Sequence, residues 1–126
     1  MRIVIQRVTH ASVTIDQQVK SAIGPGMLIL VGIEATDTTA DADWLIHKVI
    51  GLRIFDDEQG VMNRDIVQAA GDILVVSQFT LMASYKKGNR PSWFRAAPHD
   101  ISVPLYEYFC AHLSEALGRP VGTGEF

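Results

Sequence analysis

Two short apolar segments, separated by a segment of helical periodicity, most constrain the fold of this chain. Residues 27–32 form a near-continuous apolar run, and residues 73–77 form a second one. Runs of this length between turn-forming residues are typical of buried strands. Within residues 39–52, apolar side chains recur every three or four positions, which predicts one buried face of a helix. The chain is therefore expected to form layers of strands and helices.

The N-terminal segments add three strands. Residues 3–8 predict a buried strand, and the alternating residues 12–15 and 19–23 predict a hairpin with a short turn. Gly24-Pro25-Gly26 then predicts a tight turn, because proline fixes a bend and glycine allows unusual φ angles. A link this short favours antiparallel pairing of the strands that it joins.

A second helix is predicted around residues 106–117, with Pro104 in its first turn, where a missing N–H is tolerated. Residues 78–82 are expected to extend the preceding strand, and residues 84–98 to form an irregular loop. The sequence predicts one α+β domain over residues 1–126. Mostly antiparallel layered sheets, or a partly open barrel, would pack against two main helices.

The composition is that of an ordinary globular domain, with 48% apolar and 20% charged residues. No apolar run approaches the ~20 residues that a membrane span requires. The single cysteine, Cys110, lies among apolar residues and is predicted to be a small buried hydrophobe. These features favour a reducing, cytoplasmic setting without a membrane partner.

The net charge of −3 argues against a protein that coats nucleic acid, but the positive charges are clustered. Residues 84–95 carry four cations and no acid: Lys86, Lys87, Arg90 and Arg95. Such a strip suits contact with a few phosphates. An exposed loop kept soluble by its cations is the alternative that the residues leave open.

The segment Ser77-Gln78-Phe79-Thr80 directly follows the second buried run. Its hydroxyls, amide and backbone N–H groups could hold a ligand or stabilise an oxyanion. Hydroxyl residues at strand ends are more often caps or turn formers, so the pattern is weak by itself. No histidine lies near a nucleophile motif, and none has metal-ligand spacing. An enzyme built this way would depend on positioning, or on a base from its substrate.

Several segments, in order and over essentially the whole chain, resemble the D-aminoacyl-tRNA deacylases. The matching motifs are Ile5-Gln6-Arg7-Val8, Ala11-Ser12-Val13-Thr14, Ile23-Gly24-Pro25-Gly26, Leu30-Val31-Gly32, Leu52-Arg53-Ile54-Phe55, Gly60-Val61-Met62-Asn63, Val75-Val76-Ser77-Gln78-Phe79-Thr80-Leu81 and Asn89-Arg90-Pro91-Ser92-Trp93. This resemblance implies a homodimeric editing enzyme that hydrolyses the ester of D-aminoacyl-tRNA and of mischarged glycyl-tRNA. It implies no metal, no nucleotide cofactor and no DNA partner.

The resemblance also implies site residues. Thr80 matches a threonine once proposed as nucleophile, and Ser77, Gln78 and Phe79 would line the pocket. Phe126 resembles an aromatic that holds the terminal adenosine. A free threonine hydroxyl is a poor nucleophile at neutral pH. We therefore favour water or the 2′-hydroxyl of the tRNA as the reacting group.

Family chains continue beyond Phe126 into a segment with a Gly–cis-Pro dipeptide that enters the partner's pocket and excludes L-amino acids. By resemblance, Arg7 helps to fix that dipeptide. We expect that such a segment is omitted from this sequence; the alternative is a truncated protein with impaired chirality control. The strip of Lys86, Lys87, Arg90 and Arg95 becomes a candidate contact for acceptor-stem phosphates.

Two alternatives remain at this stage. One is a non-catalytic tRNA-binding module of the same fold, in which Ser77 and Thr80 would face away from a pocket. The other is an editing domain like that of archaeal threonyl-tRNA synthetases, which acts on L-serine.

Overall fold

The computed structural model describes residues 1–84 and 86–126. Its elements follow the predicted order closely. They are β1 (Arg2–Val8), β2 (Ala11–Ile15), β3 (Gln18–Ile23), β4 (Gly26–Gly32), α1 (Thr39–Gly51), β5 (Phe55–Asp56), β6 (Met62–Arg64), β7 (Asp72–Ser77), a 3₁₀ helix (Phe79–Met82), α2 (His99–Leu117) and β8 (Gly122–Thr123).

The two apolar runs form the middle of a four-stranded sheet with the order β1-β4-β7-β8. β1 pairs with β4 in antiparallel fashion, whereas β7 runs parallel to both β4 and β8. The other ladders, β2–β3 and β5–β6, are antiparallel. The predicted α+β class is confirmed, and the parallel pairs bring the ends of β4 and β7 to one edge.

One face of this sheet is covered by the two α-helices of the described residues. Alternate apolar residues of β4 and β7, such as Ile29 and Val75, are fully buried there. These side chains form one cluster with Val49 of α1 and Phe109 of α2. Burying each such side chain stabilises the fold by about 1.5–3 kcal/mol. Cys110 is buried in the same cluster, as predicted, and burial raises the pKa of its thiol to about 11.

The predicted hairpin is confirmed, and Asp16 and Gln17 form its turn with positive φ angles of 50° and 65°. It lies near β8, where the hydroxyl of Ser21 donates to the Thr123 carbonyl at 2.6 Å. Gly24-Pro25-Gly26 bends the chain as predicted, but the predicted antiparallel pairing was wrong, because β3 and β4 do not pair. The link instead carries the chain from one sheet to another. A Cβ on Gly26 would lie 1.8 Å from the Asp72 carbonyl oxygen, so glycine permits the β4–β7 pairing.

Two further expectations differ from the structure. Residues 79–82 form a 3₁₀ helix instead of extending β7, with the Leu81 N–H donating to the Gln78 carbonyl. α2 begins at His99, so Pro104 lies in its second turn. Its polar first turn carries too little apolar periodicity to be recognised in the sequence. No helix in the described part of the chain is long and apolar enough to cross a membrane.

Candidate active site

A cavity of about 420 Å³ lies where β4 and β7 end. Parallel strands leave their carboxyl ends at the same edge of a sheet, which is where open α/β sheets commonly bind ligands. We call this the first cavity. Its lining is mostly apolar with a few polar groups: Val31, Ile33, Ser77, Phe79, Ala96, Ala97, His99, Ser102, Glu125 and Phe126.

Backbone hydrogen bonds bring the distant segments of this lining together. The Gln78 N–H donates to the Val31 carbonyl at 2.7 Å, which fixes the end of β7 against β4. The Ala97 N–H donates to the Ile33 carbonyl at 2.8 Å, and the Gly124 N–H to the Val75 carbonyl at 3.2 Å. These backbone bonds fix the strand and loop ends that surround the cavity.

The structure brings Ser77, Phe79 and Phe126 together, as the predicted site requires. The Phe126 ring is 47% exposed and packs edge-on against His99 and Tyr106, with centroids 5.3 Å apart in both cases. Tyr106 is anchored in turn, because its hydroxyl donates to the Val75 carbonyl at 2.9 Å. Burial raises the pKa of Tyr106 well above its usual value, so this hydroxyl stays protonated. These contacts hold the half-exposed Phe126 ring at the rim of the cavity.

Gln78 and Thr80 flank the first cavity and are absent from its lining. Their side chains contact each other, with the Gln78 amide nitrogen donating to the Thr80 hydroxyl oxygen. An amide N–H cannot accept the proton of a hydroxyl, so this contact orients Thr80 without activating it. Among the described contacts of Thr80, no carboxylate or imidazole takes the role of a base.

Arg7 lies apart from the other predicted site residues. It pairs in the ladder with Met27, whereas Ser77 pairs with Val31, four residues further along β4. That offset corresponds to about 13 Å along the strand. The Arg7 guanidinium contacts Asp56 at 3.4 Å and lies 5.8 Å from the ring centroid of Phe55. In this chain alone, Arg7 therefore does not reach the first cavity.

Three of the four predicted phosphate contacts share a second cavity of about 390 Å³. Lys86, Lys87 and Arg90 line it together with Ser84, Ser92 and Phe94, and no acidic residue is in that lining. Arg95 is placed differently, since its guanidinium forms an ion pair with Glu34.

His99, Ser102 and Glu125 line the first cavity but were not recognised in the sequence as site residues. Ser102 is 5% exposed, and its hydroxyl has no hydrogen-bond partner within residues 1–84 and 86–126. It precedes Leu105, Tyr106 and Phe109 on the apolar face of α2, so periodicity assigns it to the core. Three or more His, Cys, Asp or Glu side chains able to hold a metal ion do not come together anywhere in the described structure.

Known proteins resemble this chain along its whole length. A relative from Phocaeicola vulgatus named D-aminoacyl-tRNA deacylase is 67% identical over 126 residues, which cover all of this chain and 84% of the relative. A relative of the same name from Bacteroides thetaiotaomicron is 66% identical over the same shares. The solved structure of a protein called c-Myc DNA unwinding element binding protein matches with a TM-score of 0.93 and 37% identity, covering all of this chain and 85% of that one.

A second solved structure, described as a probable eukaryotic D-amino acid tRNA deacylase, matches with a TM-score of 0.75 over 92% of this chain and 68% of that one. At 18% identity it supports the fold alone. The family model described as D-Tyr-tRNA(Tyr) deacylase matches residues 4–126. The chain therefore belongs to the D-Tyr-tRNA(Tyr) deacylase family, whose curated relatives are named D-aminoacyl-tRNA deacylase.

Proposed function

We propose that this chain hydrolyses the ester bond of D-aminoacyl-tRNA and of mischarged glycyl-tRNA in the cytoplasm, releasing the free amino acid and tRNA. The observation that carries the proposal is the convergence of Ser77, Phe79 and Phe126 on the first cavity in a chain of this family. We further propose that residues 1–126 act as a single catalytic domain.

In the proposed complex, the terminal adenosine stacks on the exposed face of Phe126, and the ester enters the first cavity toward Ser77. The Gln78 N–H is already bonded to Val31, so it is not among the oxyanion donors we assign. The first N–H groups of a 3₁₀ helix have no acceptor inside that helix. We assign those of Phe79 and Thr80 to the substrate carbonyl, where each donor would contribute about 10²–10³ in rate.

Thr80 acts in this proposal by position. Its hydroxyl oxygen already accepts a hydrogen bond from Gln78, and none of its described contacts is a base. The attacking group is then water or the neighbouring 2′-hydroxyl of the tRNA. Thr80→Val is expected to retain turnover within about 10-fold, because it removes a hydroxyl without removing the oxyanion donors. A loss of 10⁴-fold or more would restore Thr80 as nucleophile.

The role proposed for Arg7 requires a second copy of the chain. Arg7 and Ser77 of the same chain are offset by about 13 Å along β4. Any contact of Arg7 with a substrate would therefore be made in the partner's cavity. We propose a homodimer because a second copy would bring Arg7 to a cavity that it does not reach within its own chain. Lys86, Lys87, Arg90 and Arg95 remain the proposed contacts for tRNA phosphates.

The test is side-by-side hydrolysis of D-tyrosyl-tRNA and L-tyrosyl-tRNA with a chelator present. We expect loss of the D-ester only. Ser77→Ala should lower turnover, while Ser12→Ala, an exposed serine on β2, serves as the matched control. Binding of tRNA without any turnover would instead establish the non-catalytic module. Hydrolysis confined to L-seryl-tRNA would establish the synthetase-like editing domain.

A further inference from the structure

Three exposed aromatic side chains lie between the two cavities. Phe79 is 58% exposed, Trp93 39% and Phe94 76%, although aromatic rings of this size usually contribute to the core. Phe79 and Trp93 contact each other edge to face, with ring centroids 5.8 Å apart. We call these three residues the aromatic track.

The aromatic track joins the cavities physically. Phe79 lines the first cavity and contacts Trp93, and the next residue, Phe94, lines the second cavity. The same segment returns to the first cavity at Ala96 and Ala97. Ala97 is three positions after Phe94, which limits the distance between their Cα atoms to roughly 10 Å. A ligand that occupies both cavities therefore has these rings within reach.

The second cavity fits the backbone of a nucleic acid. Its cations, Lys86, Lys87 and Arg90, are exposed and share the lining with two serine hydroxyls. Arg95 is paired with Glu34 and is not part of this lining, so the proposal made here uses only Lys86, Lys87 and Arg90. Exposed rings beside a cationic groove are the arrangement by which proteins hold unpaired strands, with bases stacked on the rings and phosphates on the cations.

We propose that the aromatic track binds the unpaired 3′ strand of the tRNA, with its two cytosines stacked on Trp93 and Phe94. The inference rests on the proposed function, because it takes the terminal adenosine to lie in the first cavity. The bases that precede the adenosine then cross the track, and their phosphates reach Lys86, Lys87 and Arg90. Stacking tolerates any base, so the track contributes affinity and alignment of the strand more than sequence selection.

The experiment compares D-tyrosyl-tRNA with D-tyrosyl-adenosine, which occupies the first cavity but has no nucleotides to cross the track. Replacing both Trp93 and Phe94 by Ala is expected to raise KM for the tRNA about 10-fold or more. We expect kcat for the tRNA to stay within about 2-fold of the wild-type value. For D-tyrosyl-adenosine, kcat and KM should both stay within about 2-fold. Trp44→Ala, at a 63% exposed tryptophan on α1, is the matched control and should change kcat and KM for neither substrate.

A second arm tests the bases directly. A tRNA that lacks the bases of the two cytidines before its terminal adenosine should have a KM about 10-fold higher with the wild-type chain. The double alanine variant should raise that KM no further. Trp93→Leu with Phe94→Leu keeps an apolar contact for Phe79 and so separates loss of stacking from loss of folding. It should behave as the double alanine variant does, whereas Trp93→Phe should stay close to wild type.

The inference is overturned if the variants leave KM for the tRNA unchanged or raise KM equally for the tRNA and for D-tyrosyl-adenosine. It is also overturned if the double alanine variant raises KM for the baseless tRNA as much as for the intact tRNA. Failure of the wild-type chain to hydrolyse either ester would instead refute the proposed function. In that event, quenching of Trp93 fluorescence by a CCA trinucleotide, with Trp44→Phe removing the other tryptophan signal, still tests the track. Absence of quenching would then refute it too.

Discussion

The two cavities differ in what holds them in place. The first is bounded by strand ends and fixed by backbone hydrogen bonds, including the 2.7 Å bond from Gln78 to Val31. The second lies in the loop between the 3₁₀ helix and α2, where Lys86, Lys87 and Arg90 are exposed. A cavity whose backbone is fixed by hydrogen bonds suits the ester, which must be held within fractions of an ångström, whereas exposed cations suffice for phosphates. In the proposed function, the first cavity carries out the hydrolysis and the second contributes affinity for the tRNA.

The largest effect expected from this comparison is on stability. Ile29 is fully buried on the strand that leads to the first cavity, so Ile29→Ala should lower the free energy of unfolding by about 2–5 kcal/mol. Lys87→Ala, at the exposed second cavity, should change it by less than about 0.5 kcal/mol. Urea unfolding of both variants provides the measurement. Equal losses would show that the loop is as integral to the fold as the sheet.

Next in size is the effect of removing the ring at the rim of the first cavity. Phe126→Ala should lower kcat/KM about 10- to 100-fold for D-tyrosyl-tRNA and D-tyrosyl-adenosine alike, because both place adenosine on that ring. Steady-state kinetics with the two substrates checks the prediction. A loss restricted to the tRNA would mean that Phe126 contacts the nucleotides before the adenosine and not the adenosine itself.

Salt dependence distinguishes the second cavity. Each change of Lys86, Lys87 or Arg90 to Gln should reduce the slope of log(kcat/KM) against log salt by about 0.7 for the tRNA substrate, since one fewer counterion is released. The substitution Lys20→Gln, on β3, removes an exposed cation elsewhere and should leave that slope unchanged. Equal slopes for all four variants would contradict phosphate binding at this cavity.

The smallest effect concerns Ser102. Because its buried hydroxyl lacks a described hydrogen-bond partner, Ser102→Ala should leave the free energy of unfolding unchanged or raise it by up to about 1 kcal/mol. If the hydroxyl contacts substrate in the first cavity, KM for D-tyrosyl-adenosine should rise several-fold while kcat holds. Thermal unfolding with kinetics separates these effects, and destabilisation of more than about 1 kcal/mol would mean that the hydroxyl is satisfied in the fold.

The same division explains what the sequence could predict. Buried strands and the helical face of α1 follow from local periodicity, whereas Ser77 and Phe79 became pocket candidates only through the family resemblance. The strands that pair with β4 after Gly24-Pro25-Gly26 could not be predicted, because the turn residues fix a bend but not the pairing that follows it. Nor could the ion pair of Arg95 with Glu34, which joins residues 61 positions apart.

The wall of the first cavity is assembled from residues between Val31 and Phe126, and its last backbone tie is the bond from Gly124 to Val75. During synthesis, β1, β4 and β7 can pair while the chain is still growing, but Phe126 cannot take its place until residues 122–126 have left the ribosome. No nascent fragment shorter than this presents a complete cavity.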